Sequence, residues 1–370
     1  MKKAYLLNNG VKNLCSGQGQ AIPLFKVFMP RSVIRPLQKV LLSGYIGEGP
    51  QVEEFERRLV PWFGSENVLT LNNGTAAIQL ALRLAGVGAG DEVISTPMTC
   101  VATNEPILAA GARIRWADID PQTGNIDPED VAKKITAKTK AIVVVHWGGY
   151  PCELNELNRL AAARGIKLIE DACHAFGSTY QGKPIGSFSD FTCFSFQAIK
   201  EITTVDGGAL VCRTKDDCQR GRLLRWYGID RKTNRKDFRC EEDIKEFGYK
   251  FHMNDVTAAI GIEQLKYVKA NLEKTRDHAS RYNQAFSGLA NIKPLNYRPD
   301  RLSSYWIYTL LAKQQAEFAA WMKKSKIVVS RVHARNDSHS MFKDFAVKLP
   351  GVDNFVSRQM CIPVGWWLKP

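Results

Sequence analysis

The sequence lacks the features that define several classes of protein. No apolar run in its 370 residues approaches the roughly 20 residues that a membrane-spanning helix requires. The apolar stretch near the N-terminus is too short for a secretory signal. No internal repeat or low-complexity tract is visible either. We therefore expect a cytoplasmic globular protein with no membrane insertion.

The nine cysteines do not form a recognisable framework. Their number is odd and no two are spaced as CxxC, which argues against a disulfide scaffold and against a structural zinc site. We predict small, reduced and mostly buried side chains, and no metal site. The cysteines are Cys15, Cys100, Cys152, Cys173, Cys193, Cys212, Cys218, Cys240 and Cys361.

The chain carries an excess of positive charge. It has 51 Lys and Arg against 37 Asp and Glu, a formal net charge of +14 at pH 7. The basic residues are spread along the chain, and no helix-turn-helix, RRM or zinc-finger pattern is present. The excess favours small anionic ligands, such as a phosphate cofactor and a diphosphate sugar, over nucleic acid. The alternative, nucleic-acid binding, predicts retention on DNA that falls steeply with salt.

From residue 66, short apolar segments alternate with helical ones. This alternation predicts an α/β fold with a mostly parallel, mixed sheet covered by helices on both faces. The predicted strands are Val68–Leu71, Glu92–Thr96, Arg113–Trp116, Ala141–His146, Lys167–Glu170, Asp190–Phe196 and Gly208–Arg213. The predicted helices between them are Thr75–Ala85, Val101–Ala110, Pro128–Ile135 and Glu153–Arg164.

The pattern also predicts a division of the chain. Residues 1–40 form an N-terminal arm and first helix, with helical spacing over Arg31–Leu42, and residues 41–255 form the large domain. Residues 256–370 supply a long helix, ending near Phe286, and a smaller C-terminal α+β lobe. In that lobe Ser304–Ala312 and Ile327–Val332 are predicted strands.

Ligands of open α/β sheets bind beyond the carboxyl ends of the strands. Three of the segments at predicted strand ends carry reactive groups. The first has Gly74 and Thr75 where a strand leads straight into a helix, which is either an anion site or an ordinary helix cap. The second ends a strand in Glu170 and Asp171, with His174 three residues on. Asp171 could pair with a protonated ring nitrogen and His174 could bond a phenolate oxygen, or they are a helix cap and a surface histidine.

The third segment has Ser195 at a strand end and Lys200 in a loop of hydroxyls and glycines. A lysine placed there could attack a carbonyl, although its ordinary pKa near 10.4 must be overcome by burial or by neighbouring charge. Any single lysine is more often a solvated surface group. Taken together, the three segments supply a phosphate site, a partner for a pyridinium and a nucleophilic amine.

In these motifs the chain resembles the DegT/StrS-type nucleotide-sugar aminotransferases, over about residues 25–340. The family is dependent on pyridoxal 5′-phosphate (PLP) and has the fold-type I architecture. The motifs in register are Gly44–Pro50, Asn73–Ala77, Asp91–Ile94, Glu170–Ala172, Phe194–Phe196 and Lys200–Gly208.

The resemblance implies roles for individual residues. Lys200 would bond to PLP and shuttle the proton, and Asp171 would keep the pyridine nitrogen protonated. His174 would lie by the phenolic oxygen, and Gly74, Thr75 and Ser195 would bind the phosphate. Three positions depart from the family pattern, and one of them is Gln197, which replaces a common His or Tyr. Cys100 stands where an aromatic usually stacks on the ring, and Lys250 replaces an Asn that reaches the phosphate of the partner subunit.

The resemblance also implies a reaction. An amino acid, L-glutamate, would donate its amino group and leave as 2-oxoglutarate, and a nucleotide-linked keto-sugar would accept it. The loop Thr203–Gly208 favours C4 of a 4-keto-6-deoxyhexose, in lipopolysaccharide or O-antigen assembly. Tyr45, Arg231 and His333 are the substrate-side candidates, and a homodimer with interfacial sites is expected. Two alternatives remain: a sugar dehydratase of the same fold and a non-catalytic regulatory protein. The dehydratase is disfavoured because those relatives carry histidine where this chain has Lys200.

Overall fold

The structure, a computed structural model, describes residues 21–231 and 243–369. The part of the predicted arm before residue 21, together with Cys15 and Cys240, lies outside the described residues. No helix in the described ranges combines the length and the apolar character that crossing a membrane requires.

A seven-stranded sheet forms the centre of the fold. Its strands stand in the order β1-β9-β8-β5-β4-β2-β3, and β9 is antiparallel to both of its neighbours while the other pairs are parallel. The strands are β1 (Val68–Leu71), β2 (Glu92–Ser95), β3 (Arg113–Trp116), β4 (Thr139–Val145), β5 (Lys167–Asp171), β8 (Phe191–Ser195) and β9 (Gly208–Cys212). The predicted mixed α/β sheet is confirmed.

Helices cover both faces of this sheet because its residues alternate in direction. Leu69, Val143 and Ile169 join one buried cluster, whereas their neighbours Val68 and Leu168 join the cluster on the opposite face. The helices up to residue 224 are α1 (Ile34–Leu41), α2 (Pro50–Phe63), α3 (Gly74–Leu84), α4 (Val101–Ala109), α5 (Pro128–Lys134), α6 (Leu154–Ala162) and α7 (Lys215–Leu224), with 3₁₀ turns at Arg31–Val33 and Trp147–Gly149.

A long helix, α8 (Asp255–Phe286), runs from the large sheet to a smaller one. Ala258 and Val268 in its first half pack into a large-sheet core, and Tyr282 and Phe286 pack into a third cluster. The division into domains at residues 40 and 255 stays a prediction. The remaining helices are α9 (Gln315–Lys324) and α10 (Pro350–Val356), with 3₁₀ turns at Asn336–Ser338 and Ser340–Phe345.

Two small antiparallel sheets complete the structure. One has the order β10-β12-β13 and the other β11-β6-β7. Their strands are β6 (Thr179–Tyr180), β7 (Lys183–Pro184), β10 (Ile292–Pro294), β11 (Arg301–Leu302), β12 (Tyr308–Ala312) and β13 (Gln359–Ile362).

The predicted strands of this region need correction. The strand predicted over Ser304–Ala312 begins only at Tyr308, because Tyr305 has a positive φ of 54° that breaks an extended backbone. The strand predicted over Ile327–Val332 was wrong. Only isolated bridges form there, from Ile327 to Ile22 and from Ser330 to Cys361, and Val332 turns away with a φ of 64°.

Candidate active site

The last side chains of strands β5 and β8 point to the same face of the sheet. Along β5, Ile169 packs with helix α3 on one face, so Asp171, two residues later, points to that face as well. Along β8, Phe191 and Cys193 join the same cluster, which places Ser195 on that face too. The two strands are parallel neighbours, and therefore both residues lie at one edge of the sheet.

The two adjacent carboxylates of β5 have separate partners on opposite faces. Glu170 is fully buried, its Oε2 lies 2.8 Å from His146 Nε2, and its Oε1 accepts from the Thr192 hydroxyl at 3.1 Å. Asp171 Oδ2 accepts from the Thr103 hydroxyl at 2.6 Å, and Oδ1 accepts from the Cys173 N–H at 3.1 Å. Asp171 is thus a buried acceptor beside the site, whereas Glu170 belongs to the scaffold beneath it.

Helix α3 begins at this edge with backbone N–H groups directed outward. Asn73 caps the helix, because its Oδ1 accepts from the Ala76 N–H at 2.7 Å and its carbonyl accepts from the Ala77 N–H at 3.3 Å. The first N–H groups of an α-helix have no acceptor within the helix, which leaves those of Gly74 and Thr75 for an anion. Thr75 is half-buried at this position.

Two glycines allow this turn to lie against the sheet. A Cβ on Gly74 would stand 2.9 Å from Ser195 Cβ and 3.0 Å from Cys173 Sγ, so Gly74 brings the helix start to the ends of β5 and β8. A Cβ on Gly208 would stand 2.6 Å from the carbonyl of Asn73. The Ser195 hydroxyl accepts from the Gln197 N–H at 3.3 Å and lies beside the same turn.

Lys200 lies in the loop that follows β8, close to Asp171. Its Nζ stands 4.0 Å from the centroid of a Trp306 ring, and the indole N–H of Trp306 donates to the carbonyl of Ile199 at 2.9 Å. Burial lowers the pKa of Lys200 from 10.5, while nearby acidic groups, Asp171 among them, oppose the shift. The amine is therefore easier to deprotonate than an exposed lysine.

His174 and His333 stand beside this lysine as neutral rings. His174 stacks on Trp306 at a centroid distance of 3.8 Å, and the His333 ring is parallel to it at 5.7 Å. Burial lowers the pKa of His174 well below 6.5, and burial together with the Lys200 charge lowers the pKa of His333 to about 4. His174 Nδ1 and His333 Nε2 are both buried without a hydrogen-bond partner, so each has an unused donor or acceptor site.

A buried amide network ties the His333 loop to the large sheet. Asn336 donates to the carbonyl of Thr99 at 2.8 Å, and its Oδ1 accepts from Asn104 at the same distance. The hydroxyls of Thr99 and Thr103 lie 2.8 Å apart, and Thr103 donates to Asp171. The loop that contains His333 and Asn336 is thus joined to the Asp171 carboxylate through one chain of hydrogen bonds.

Cys100 lies at the edge of this group. It precedes helix α4, is partly exposed, and is close enough to Lys200 to influence its charge. Its thiol is much smaller than an aromatic ring and offers less surface for stacking.

The remaining predicted residues gather on a neighbouring exposed surface rather than beside Lys200. Lys250 Nζ stands 3.6 Å from a Trp226 ring centroid, and its carbonyl accepts from the Asn72 side chain at 3.3 Å, next to the α3 turn. Arg231 lies over the same indole at 4.5 Å and pairs with Glu48 at 2.9 Å. The hydroxyl of Tyr45 donates to the carbonyl of Glu48 at 3.2 Å.

Four residues in or beside the site were not predicted from the sequence: Thr103, Glu201, Trp306 and Asn336. Thr103 lies on a helix and Asn336 in a short 3₁₀ turn, far apart in sequence, and no local pattern indicates that they meet. Trp306 lies two residues before a strand whose start was misplaced. The polar pair Asn336-Asp337, close to His333 in sequence, was the one local sign of a polar site, because such side chains require hydrogen-bond partners when they are buried.

The groups at this edge fit the parts of PLP. The free N–H groups of α3 suit a phosphate, the Asp171 carboxylate suits a protonated ring nitrogen, and the unpartnered His174 nitrogen suits a phenolic oxygen. Lys200 supplies an amine of lowered pKa to bond the aldehyde.

Comparisons with proteins of known structure show which proteins the chain is similar to. A sugar aminotransferase of known structure, CalS13 from Micromonospora echinospora, is 40% identical, with a TM-score of 0.90 over 94% of this chain and 96% of that one. The PLP form of the putative sugar aminotransferase Spr1654 from Streptococcus pneumoniae is 28% identical, with a TM-score of 0.86 over 94% and 95% of the two chains.

A curated relative and a family match extend this result. UDP-4-amino-4,6-dideoxy-N-acetyl-beta-L-altrosamine transaminase from Campylobacter jejuni subsp. jejuni (strain 81-176) is 33% identical over 347 residues, covering 90% of this chain and 89% of the relative. The sequence model of the DegT/DnrJ/EryC1/StrS aminotransferase family matches residues 30–370. The resemblance inferred from the motifs is confirmed, and the chain belongs to this family of PLP-dependent aminotransferases with the type I fold.

Proposed function

We propose that the protein transfers the amino group of L-glutamate to C4 of a nucleotide-diphosphate-linked 4-keto-6-deoxyhexose. The observation that carries the proposal is the Lys200 amine, whose pKa burial lowers, beside the Asp171 carboxylate and the free N–H groups of helix α3. A dehydratase of this fold is disfavoured because it would have histidine in place of Lys200.

In this proposal the residues divide the work between binding and proton transfer. When bound, PLP supplies an electron-withdrawing ring that stabilises the negative charge left on a carbon that loses its proton. Asp171 holds a proton on the ring nitrogen, and Thr103 fixes the orientation of its carboxylate. Lys200 would bind the aldehyde of PLP, and its Nζ would act as the base and acid that moves a proton between a cofactor carbon and a substrate carbon.

The binding residues orient the cofactor and the substrate. Gly74, Thr75 and Ser195 bind the phosphate at the start of helix α3, and His174 donates to or accepts from the phenolic oxygen through its unpartnered Nδ1. Cys100 would contact the ring less extensively than the aromatic side chain that it replaces. His333 faces the sugar with its unpartnered Nε2, and because its pKa is about 4 it acts there as a neutral group at physiological pH.

The substrate class is supported by charge and by the relatives. The net charge of +14 suits an anionic diphosphate substrate. The Campylobacter relative is named for a UDP-linked 4-amino-4,6-dideoxy sugar, and another relative, from Bacillus subtilis, is named a spore coat polysaccharide biosynthesis protein. We therefore assign the product to the biosynthesis of amino sugars for surface glycans such as the O-antigen.

A substrate panel tests this proposal. Purified protein with PLP and L-glutamate is incubated with UDP-, GDP- and dTDP-linked 4-keto-6-deoxyhexoses, and mass spectrometry follows the exchange of a keto oxygen for an amino group. We expect one of these sugars to be aminated at C4, with release of 2-oxoglutarate. Lys200→Ala should abolish turnover, whereas Lys138→Ala, which changes an exposed lysine, should not. Amination at C3, or of no sugar, would refute the assignment.

We further propose a cytoplasmic homodimer in which Lys250 contacts the cofactor phosphate bound by the partner subunit, with Tyr45 and Arg231 on the same interface. Lys250 is exposed beside the α3 turn, where a second chain can approach. Mixing the inactive variants Lys200→Ala and Lys250→Ala should restore activity, because each mixed dimer then contains one complete site. A monomer in light scattering, or no restoration after mixing, would contradict the dimer.

A further inference from the structure

Glu201 is a buried carboxylate that the proposed mechanism does not use. Both of its carboxylate oxygens are buried, and neither has a hydrogen-bond partner of normal geometry. The hydroxyl of the neighbouring Ser304 donates instead to the carbonyl of His174 at 2.7 Å. Burial raises the pKa of Glu201 from 4.5 to about 7, although its own backbone N–H, the nearby Ser304 hydroxyl and the charges of Lys200 and Arg276 oppose the shift.

A small cavity connects Glu201 with Lys200. Its volume is about 50 Å³, which exceeds the roughly 10–15 Å³ that one water molecule needs. Lys200 and Glu201 both line it, together with the cation Lys26 and the polar side chains of Asn271, Thr275, Ser304 and Tyr305. Asp171 and Gly74 do not line it, so this cavity approaches Lys200 from a side other than the one that faces them.

The other titratable groups around Lys200 are poor proton acceptors at neutral pH. Burial lowers the pKa of His174 well below 6.5 and that of His333 to about 4, so both rings stay neutral. Burial raises the pKa of Cys173 well above 9 and keeps it a thiol, and Tyr305 is a phenol whose pKa is raised in the same way.

The charged groups near Lys200 already have other hydrogen-bond partners. Asp171 accepts from Thr103 and from the Cys173 N–H, and in the proposed function it faces the ring nitrogen. Arg276 is a cation that donates to the carbonyls of Ser303 and Gly177. The Cys100 thiol lies near Lys200, but outside the cavity. Among the described groups around Lys200, Glu201 is the one that changes charge near neutral pH.

We infer that Glu201 is a positioning residue that exchanges a proton with Lys200 through a water molecule in this cavity. Lys200 as an ammonium gives one proton to the Glu201 carboxylate, which leaves a neutral amine and a neutral carboxylic acid, and the reverse transfer restores both charges. The exchange supplies Lys200 in the nucleophilic form. This inference rests on the proposed role of Lys200, and it names the group that gives a proton to Lys200 and takes one from it.

The test is the rate at which cofactor-free protein captures PLP, followed by absorbance across pH. Capture requires the free amine of Lys200, so the wild-type rate should rise through a step near pH 7. The Glu201 charge also raises the pKa of Lys200, so a purely electrostatic role predicts faster capture in Glu201→Gln, and that result would overturn the inference. Proton exchange instead predicts that the variant loses the step and captures PLP roughly tenfold more slowly at pH 8. Glu201→Asp should recover part of the rate, because it restores a titrating carboxylate.

Glu156→Gln is the matched control, since it removes the same charge from an exposed position and should leave the profile unchanged. A Glu201→Gln variant with the wild-type step and rate would overturn the inference alone. A wild-type protein that forms no covalent bond with PLP would refute the proposed function, and the inference with it. Thermal unfolding of each variant checks that the compared proteins are folded.

Discussion

Removing the hydroxyl of Thr103 tests how the site holds Asp171. The hydroxyl donates to Asp171 Oδ2 at 2.6 Å inside the protein, and Thr103→Val preserves the shape of the side chain while removing the donor. A hydrogen bond to an ionised group contributes about 1.5–3 kcal/mol, so the free energy of unfolding should fall by that amount. The Asp171 carboxylate then keeps only the Cys173 N–H as a donor, so its orientation is less constrained.

The same substitution should weaken cofactor binding. Ordering a side chain on binding costs about 0.5–1.5 kcal/mol of free energy. In wild type the Asp171 side chain is ordered when the protein folds, whereas in the variant it is ordered when PLP binds. The dissociation constant for PLP should therefore rise by up to about tenfold. Titration of the cofactor-free protein with PLP, followed by absorbance, measures the change, and Thr103→Ser should return the constant close to that of wild type.

Thr192→Val provides a control from the same sheet edge. Thr192 donates to Glu170 at 3.1 Å on the opposite face, so its loss should reduce stability without changing the affinity for PLP. If Thr103→Val lost stability but bound PLP as tightly as wild type, the role assigned to Thr103 would be refuted.

Three further predictions concern the same site. Gly74→Ala should cost about 1–3 kcal/mol of stability and weaken PLP binding, because its Cβ would stand 2.9 Å from Ser195 Cβ, whereas Gly88→Ala, with open space around it, should change neither in denaturant and PLP titrations. Cys100→Tyr should tighten PLP binding by supplying a ring to stack, and an unchanged dissociation constant would contradict this. Burial raises the pKa of Glu201 to about 7, so the folded state holds this proton more tightly than the unfolded chain, and stability falls as pH rises from about 4.5 to 7. Glu201→Gln should remove that fall and gain on the order of 3 kcal/mol over wild type at pH 8 in urea unfolding.

The parts of the site that follow local sequence rules were predictable. A strand that ends in Asp171, and a glycine between a strand and a helix, each have a local signature, and their positions follow from the alternation of the sheet. Lys200 was singled out because it follows an apolar strand in a loop of hydroxyls and glycines. Family resemblance then joined these three segments into one site.

The groups that depend on tertiary packing were not predictable in this way. Thr103 and Asn336 are 233 positions apart, and only the folded chain shows that both belong to the network around Asp171. Trp306 contacts Lys200 from a segment with no motif of its own. The extended segment Ile327–Val332 has the β-branched composition of a strand, but it makes isolated bridges in place of a continuous ladder. Composition therefore indicated extended backbone without indicating a partner.

The proposed function depends on a covalent bond between PLP and the ε-amino group of Lys200. Borohydride reduction of the PLP-loaded protein, followed by proteolysis and mass spectrometry, locates that bond directly. We expect one pyridoxyl group, on the peptide that contains Lys200, and none in Lys200→Ala. A label on a different lysine, or no label on protein that is folded and saturated with PLP, would contradict it.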